Sequence, residues 1–227
     1  MQTHSRAVAV ASTNALTHPV GHSEPAGARR HYADLEGWQR YQDFFPPSMR
    51  CTATTTPSEE WWTWNGIDVH LDRSPVPESP IKVIVLHGAG AYGRVMAPAA
   101  VIARRHGYET VSPDLPGYGL TRVSSKQMTY SLWIDCVCAL IDAELARDGR
   151  PVVLFGVSLG GLLAYHAAAR SRRIVGLVAT TLADPREPAV RQGFARTALT
   201  AARGSGCSIG FACSPTGCPC RCDTCRR

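Results

Sequence analysis

The sequence predicts an α/β protein built on an open parallel sheet layered between helices. Three observations carry this. From Ile81 onward, short apolar runs alternate with stretches of helical periodicity, the pattern that successive βαβ units produce. One of those runs, Val152-Val153-Leu154-Phe155, is continuous, as in a strand covered on both faces. Directly after it, Gly156 and Gly160 bracket Ser158 as G-x-S-x-G, ahead of Leu159–Arg170, which has the composition of a helix.

The 227 residues suit one domain with a sizeable core, and a 44% hydrophobic content is that of a globular chain. No apolar run approaches the ~20 residues needed to span a membrane. The run Ala7–Ala11 is too short for a secretory signal, so a cytoplasmic location is the default. The formal charge is +6, but the central region is nearly balanced. Arginine outnumbers lysine 22 to 2, which points to a GC-rich coding sequence, and no nucleic-acid partner is inferred.

Residues 1–58 are rich in Ser, Thr, Pro, Gly and Ala and read as a mostly flexible leader. Within it, Leu35, Trp38, Tyr41, Phe44 and Phe45 recur at helix-like spacing, so a short helix is expected before Pro46 and Pro47. An ordered domain is expected over 59–203. It opens with a hairpin: Trp61–Trp64, a tight Asn65-Gly66 turn, then Ile67–Leu71. A proline-rich connector leads to the strand Ile81–Leu86. Further along, Pro98–His106 reads as a helix, Tyr108–Ser112 as a strand and Tyr130–Arg147 as an amphipathic helix. Cys136 and Cys138 on that helix read as reduced thiols. Ile174–Leu182 is one more strand, with a further helix expected to about Arg203.

His87-Gly88-Ala89-Gly90 after the Ile81–Leu86 strand supports two readings. Gly88, Gly90 and Gly93 spell G-x-G-x-x-G, with Glu109 about twenty residues on, the pattern of a dinucleotide-binding module. The other reading is an oxyanion loop, whose backbone N–H stabilises the oxygen of a tetrahedral intermediate. The second prevails because it needs a serine elbow two strands later, and Ser158 is there. His87 reads as a loop-shaping residue, since known triad orders on this architecture place the base last. Asp114, among prolines and glycines, reads as bonding its own turn.

From about Glu59 to Arg203 the chain resembles the N-terminal two-thirds of an α/β-hydrolase of the serine aminopeptidase S33 or monoacylglycerol-lipase-like kind. His87-Gly88-Ala89-Gly90, Asp114-Leu115-Pro116-Gly117-Tyr118-Gly119 and Gly156-Val157-Ser158-Leu159-Gly160-Gly161 occur in the family's order. The resemblance implies a three-layer αβα fold and Ser158 as nucleophile. It implies the amides of Leu159 and Ala89 as oxyanion hole, with His87 and Gly88 shaping the loop. It also implies a small-molecule acyl substrate, a carboxylic ester or small amide, and no cofactor or metal. Serine rather than aspartate at the elbow points to acyl chemistry.

The chain departs from the pattern after Ser158. The only later histidine is His166, about 12 Å along the same helix and leading away from the hydroxyl. Of the remaining acids, only Asp184 sits at a strand's carboxyl end, which makes it the candidate triad acid, one strand earlier than in most relatives. The last two strands and the catalytic histidine are expected to be missing, leaving a serine hydrolase with impaired turnover. The competing expectations are an inactive fragment that only binds a ligand and a dinucleotide-binding module on Gly88–Gly93. Residues 204–227 hold six of the nine cysteines, among them Cys218, Cys220, Cys222 and Cys225 at ligand-like spacing. Paired C-x-x-C units are missing, and an out-of-frame readout of a GC-rich gene, giving a disordered tail, accounts better for that composition.

Overall fold

The computed structural model describes residues 29–182, 187–189 and 192. Asp184, the earlier leader and the cysteine-rich tail lie outside the described residues. Among the described residues the sheet has six strands. β1 (Ser58–Trp64) and β2 (Ile67–Ser74) form the expected hairpin. Its two-residue turn puts Asn65 at φ 48° and Gly66 at φ 75°, both in the left-handed region that a turn matching strand twist demands. β3 (Lys82–Leu86), β4 (Glu109–Pro113), β5 (Val152–Val157) and β6 (Ile174–Thr180) complete the order β1-β2-β4-β3-β5-β6.

β3, β4, β5 and β6 are mutually parallel, as the alternating pattern implies. The hairpin joins them antiparallel through β2 against β4, with Leu71 opposite Pro113 and Ser74 opposite Thr110. The sheet is therefore mixed, a feature that strand-by-strand reading leaves open because pairing across forty residues has no local signature.

The helices are α1 (Glu36–Tyr41), α2 (Ala97–Arg105), α3 (Tyr130–Asp148) and α4 (Leu159–Arg170). α3 starts where the Thr129 hydroxyl accepts from the Leu132 amide and stops at Gly149, φ 75°. α3 and α4 share one face of the sheet, burying Ile134, Val137, Leu140, Ile141 and Leu163 against Val69, Leu71, Ile84, Leu86, Val111, Val152 and Leu154. α2 covers the other face beneath β2 and β4, giving the three-layer αβα arrangement.

One expectation is corrected. Among the described residues Val152–Phe155 is fully covered on one face only: Val152 and Leu154 are fully buried, whereas Val153 and Phe155 are half-buried. The reason is that α2, on that face, packs over β2 and β4 and stops short of β5. No helix among the described residues is long and apolar enough to cross a membrane.

From His31 on, the segment ahead of β1 is tied to the sheet rather than free of it. Tyr32 and Trp38 are buried, and the guanidinium of Arg94 lies over both rings. α1 is shorter than the aromatic spacing suggests, and 3₁₀ turns at Gln42–Phe44 and Pro47–Met49 continue it.

Candidate active site

β4 lies on one side of β3 and β5 on the other, so the connection out of the sheet reverses direction at the carboxyl ends of β3 and β5. In open α/β sheets that reversal leaves a crevice where ligands bind. The loop after β3 carries His87, Gly88 and Ala89, and the bend after β5 carries Ser158.

Ser158 is half-buried and adopts φ 54°, ψ −116°, a conformation costly for a residue with a side chain. Its amide donates to the Thr180 carbonyl at 2.9 Å, and its carbonyl accepts from the Leu162 amide at 3.1 Å, which fixes the bend between β5 and α4. The flanking glycines are required by space. A Cβ on Gly156 would overlap the Gly160 carbonyl, and one on Gly160 would overlap the carbonyls of Leu86 and His87. The bend thus sits directly against the end of β3, and a Cβ on Gly88 would come within 3.4 Å of the Ser158 Cβ.

Leu159 opens α4, where first-turn amides have no intrahelical acceptor. Ala89 is exposed in a turn closed by the Ala91 amide on the Gly88 carbonyl, and Gly90, at φ 78°, takes the position that needs a glycine. Ser158, Leu159, Gly88 and Ala89 are therefore brought together at one end of the sheet.

His87 is fully buried beneath this loop. Its Nε2 receives the Leu115 amide at 3.1 Å, so that nitrogen is unprotonated, and Nδ1 donates to the Gly88 carbonyl at 2.9 Å. Burial pushes its pKa below the usual histidine range. With both ring nitrogens bonded to backbone, it has no lone pair for a substrate. His166 lies eight residues along α4, about 12 Å from the bend by helical rise, with its ring beside Tyr165.

Asp114, at the end of β4, is wholly buried. Oδ1 accepts from the Gly93 amide at 2.6 Å, and Oδ2 from the Leu120 amide and the Tyr32 hydroxyl, both at 2.7 Å. It joins its own loop to the loop after β3. Glu109 begins β4 at the opposite end of the sheet, where Arg73 and Arg150 take its carboxylate. An acid that holds a ribose belongs at the carboxyl end, so this geometry does not fit a dinucleotide.

Sequence reasoning missed a buried polar group behind these loops. Glu59, His70 and Asp72 offer ligand-type atoms within 4.8 Å of one another. They do not read as a metal site, because Arg94 already supplies the cation: its Nη2 is 2.8 Å from Asp72 and 3.1 Å from Glu59. Burial alone would raise Glu59, but the His70 hydrogen bond, the Tyr32 and Ala33 amides and Arg94 outweigh it and hold the carboxyl at about 2. Alternation of His70 and Asp72 with Val69 and Leu71 looks like a solvated face, so only long-range pairing reveals the group.

Residues 83–214, more than half of the chain, match the family model described as the alpha/beta hydrolase family. The chain belongs to the alpha/beta hydrolase family. Among curated relatives, it is 36% identical over 104 residues to a pimeloyl-[acyl-carrier protein] methyl ester esterase of Xanthomonas oryzae, covering 46% of this chain and 37% of the relative. It is 36% identical over 121 residues to phospholipase YtpA of Bacillus subtilis, covering 52% and 42%. The chain thus matches about two-fifths of the length of these relatives. A soluble variant of monoglyceride lipase from Saccharomyces cerevisiae shares the alpha/beta hydrolase fold, with a TM-score of 0.54 at 21% identity over 70% of this chain and 56% of that one.

Proposed function

We propose that the chain is a serine hydrolase of carboxylic esters that uses Ser158 as its nucleophile. The observation that carries this reading is the strained bend at Ser158, set against the Gly88–Ala89 loop at the point where the sheet reverses direction. The curated relatives are named as esterase and phospholipase, which supports an ester as the substrate class.

In this reading Ser158 Oγ attacks the acyl carbon, and the carbonyl oxygen gains charge within reach of the Leu159 and Ala89 amides. Fixed donors aimed at developing charge need no reorganisation during the reaction. Collapse of the tetrahedral intermediate expels the alcohol and leaves an acyl-serine, which water then cleaves. Solvent water takes the Ser158 proton and returns one to the departing alkoxide, because no side-chain base is in place among the described residues. Among the described residues no imidazole bonds the hydroxyl: His87 is committed to backbone and His70 to Glu59. Asp184, which the sequence puts just beyond β6, is the acid available to orient a base. With no imidazole on the hydroxyl among the described residues, slow turnover is the expected behaviour, since loss of a triad histidine costs about 10⁶-fold while an oxyanion hole retains about 10³- to 10⁴-fold over water.

The test is reaction with a fluorophosphonate followed by intact mass and peptide mapping, alongside hydrolysis of p-nitrophenyl butyrate. Slow stoichiometric labelling at Ser158, with both reactions lost in Ser158→Ala, is the expected result. Equal hydrolysis by wild type and Ser158→Ala overturns the reading.

A further inference from the structure

Tyr32 comes well ahead of the first strand, yet only 3% of it is exposed. Its amide donates to Glu59 Oε2 at 2.9 Å and its hydroxyl to Asp114 Oδ2 at 2.7 Å. The ring stacks on Tyr92 with centroids 4.9 Å apart and planes 15° from parallel, and His70 meets it edge-on at 5.1 Å. Tyr92 and Gly93 close the loop that carries Ala89, and Gly93 is the residue whose amide Asp114 holds. One side chain therefore grips that loop twice, through the Tyr92 ring and through the carboxylate that fixes Gly93.

We propose that Tyr32 is a positioning residue that clamps the loop 87–93 in the register presenting the Ala89 amide beside Ser158. The clamp rests on these contacts alone; its catalytic consequence rests on the function proposed above. A phenylalanine would fill the same space, so packing does not account for the hydroxyl. Burial and the neighbouring Asp114 raise the phenol pKa above its ordinary range, and the hydroxyl stays a donor. Asp114 Oδ2 has two hydrogen-bond donors, Tyr32 and Leu120, with His70 Nδ1 further away at 3.6 Å. Without the phenol the carboxylate is drawn toward His70 and its grip on Gly93 loosens. A displacement of about 1 Å in a positioned group costs on the order of 100-fold in rate.

The experiment is Tyr32→Phe in the full chain, read by hydrogen exchange of the 87–95 peptide and by steady-state hydrolysis of p-nitrophenyl butyrate. Exchange about 10-fold faster over 88–93, with α3 and α4 unchanged, is expected. kcat should fall about 10- to 100-fold at constant KM. A role in packing alone predicts neither change, because the ring remains. Phe44→Ser, at a side chain on the same segment that is 82% exposed, should exchange like wild type. Tyr32→Phe traces that superimpose on wild type in the loop overturn the clamp. If wild type and Ser158→Ala hydrolyse the ester equally, the proposed function fails while loop exchange still decides the role of Tyr32.

Discussion

The ammonium of Lys82, wholly buried at the start of β3, lies 2.9 Å from Oε2 of Glu144 on α3. Arg73 meets the same carboxylate with two nitrogens, at 3.0 and 2.7 Å, and Asp148 gives Lys82 a second, partly exposed partner. Burial alone would raise Glu144, but Arg73 and Lys82 outweigh it and keep it ionised. This cluster fastens α3 to the end of the sheet away from the site. Removing Glu144 takes the shared carboxylate from both cations at once, leaving Lys82 to the partly exposed Asp148 and Arg73 to Glu60 and Glu109, whereas removing Lys82 leaves the Glu144 carboxylate on Arg73. Glu144→Ala is expected to cost about 3–5 kcal/mol and Lys82→Met about 2 kcal/mol in urea unfolding. The reverse ranking would show that the carboxylate does not hold the cluster.

Glu59 sets a pH dependence with a definite sign. Its carboxyl is lowered from 4.5 to about 2 on folding, so its contribution is fully present above pH 4.5 and is lost as the pH falls toward 2. The shift corresponds to about 3 kcal/mol. Glu59→Gln should therefore be less stable than wild type by roughly that amount at pH 7, with the gap narrowing below pH 4.5. A constant gap from pH 7 to pH 2, followed by circular dichroism in denaturant, would contradict it.

Two neighbouring glycines should respond differently to alanine. A Cβ on Gly160 overlaps backbone at the end of β3, which cannot yield without moving the strand. On Gly161 the nearest atom is 3.1 Å away, a tight contact open to small adjustment. Gly160→Ala is expected to cost about 1–3 kcal/mol or more and to abolish Ser158 labelling, with Gly161→Ala milder on both counts. Equal thermal shifts for the two variants would refute this.

β6 ends the sheet among the described residues, with Val175 64% and Val178 47% exposed. An apolar edge of this kind promotes strand-to-strand association. The purified chain should scatter light increasingly with concentration, and Val178→Lys should reduce that scattering severalfold at unchanged circular dichroism. Monodisperse wild-type protein at high concentration counts against the idea.

What the sequence discloses here is what local chemistry encodes. Gly156, Ser158 and Gly160 between an apolar run and a helix locate the bend because the conformation itself demands those residues. Asn65-Gly66 locates the hairpin turn for the same reason. The order of strands within the sheet, and the burial of Tyr32, His70, Asp72 and Arg94, depend on partners far apart in the chain. A charged residue destined for a buried ion pair looks the same in sequence as one facing water. The half-exposed face of Val153 and Phe155 escapes notice likewise, since an apolar run does not say which helix will cover it.

The Ser158 amide donates to the carbonyl of Thr180, at the far end of β6. During synthesis, a nascent chain that has released the serine but not yet threonine 180 from the ribosome carries that amide without its native partner. The bend at Ser158 is then completed after α4 rather than before it. Any pause in translation between these points prolongs the life of a half-made elbow.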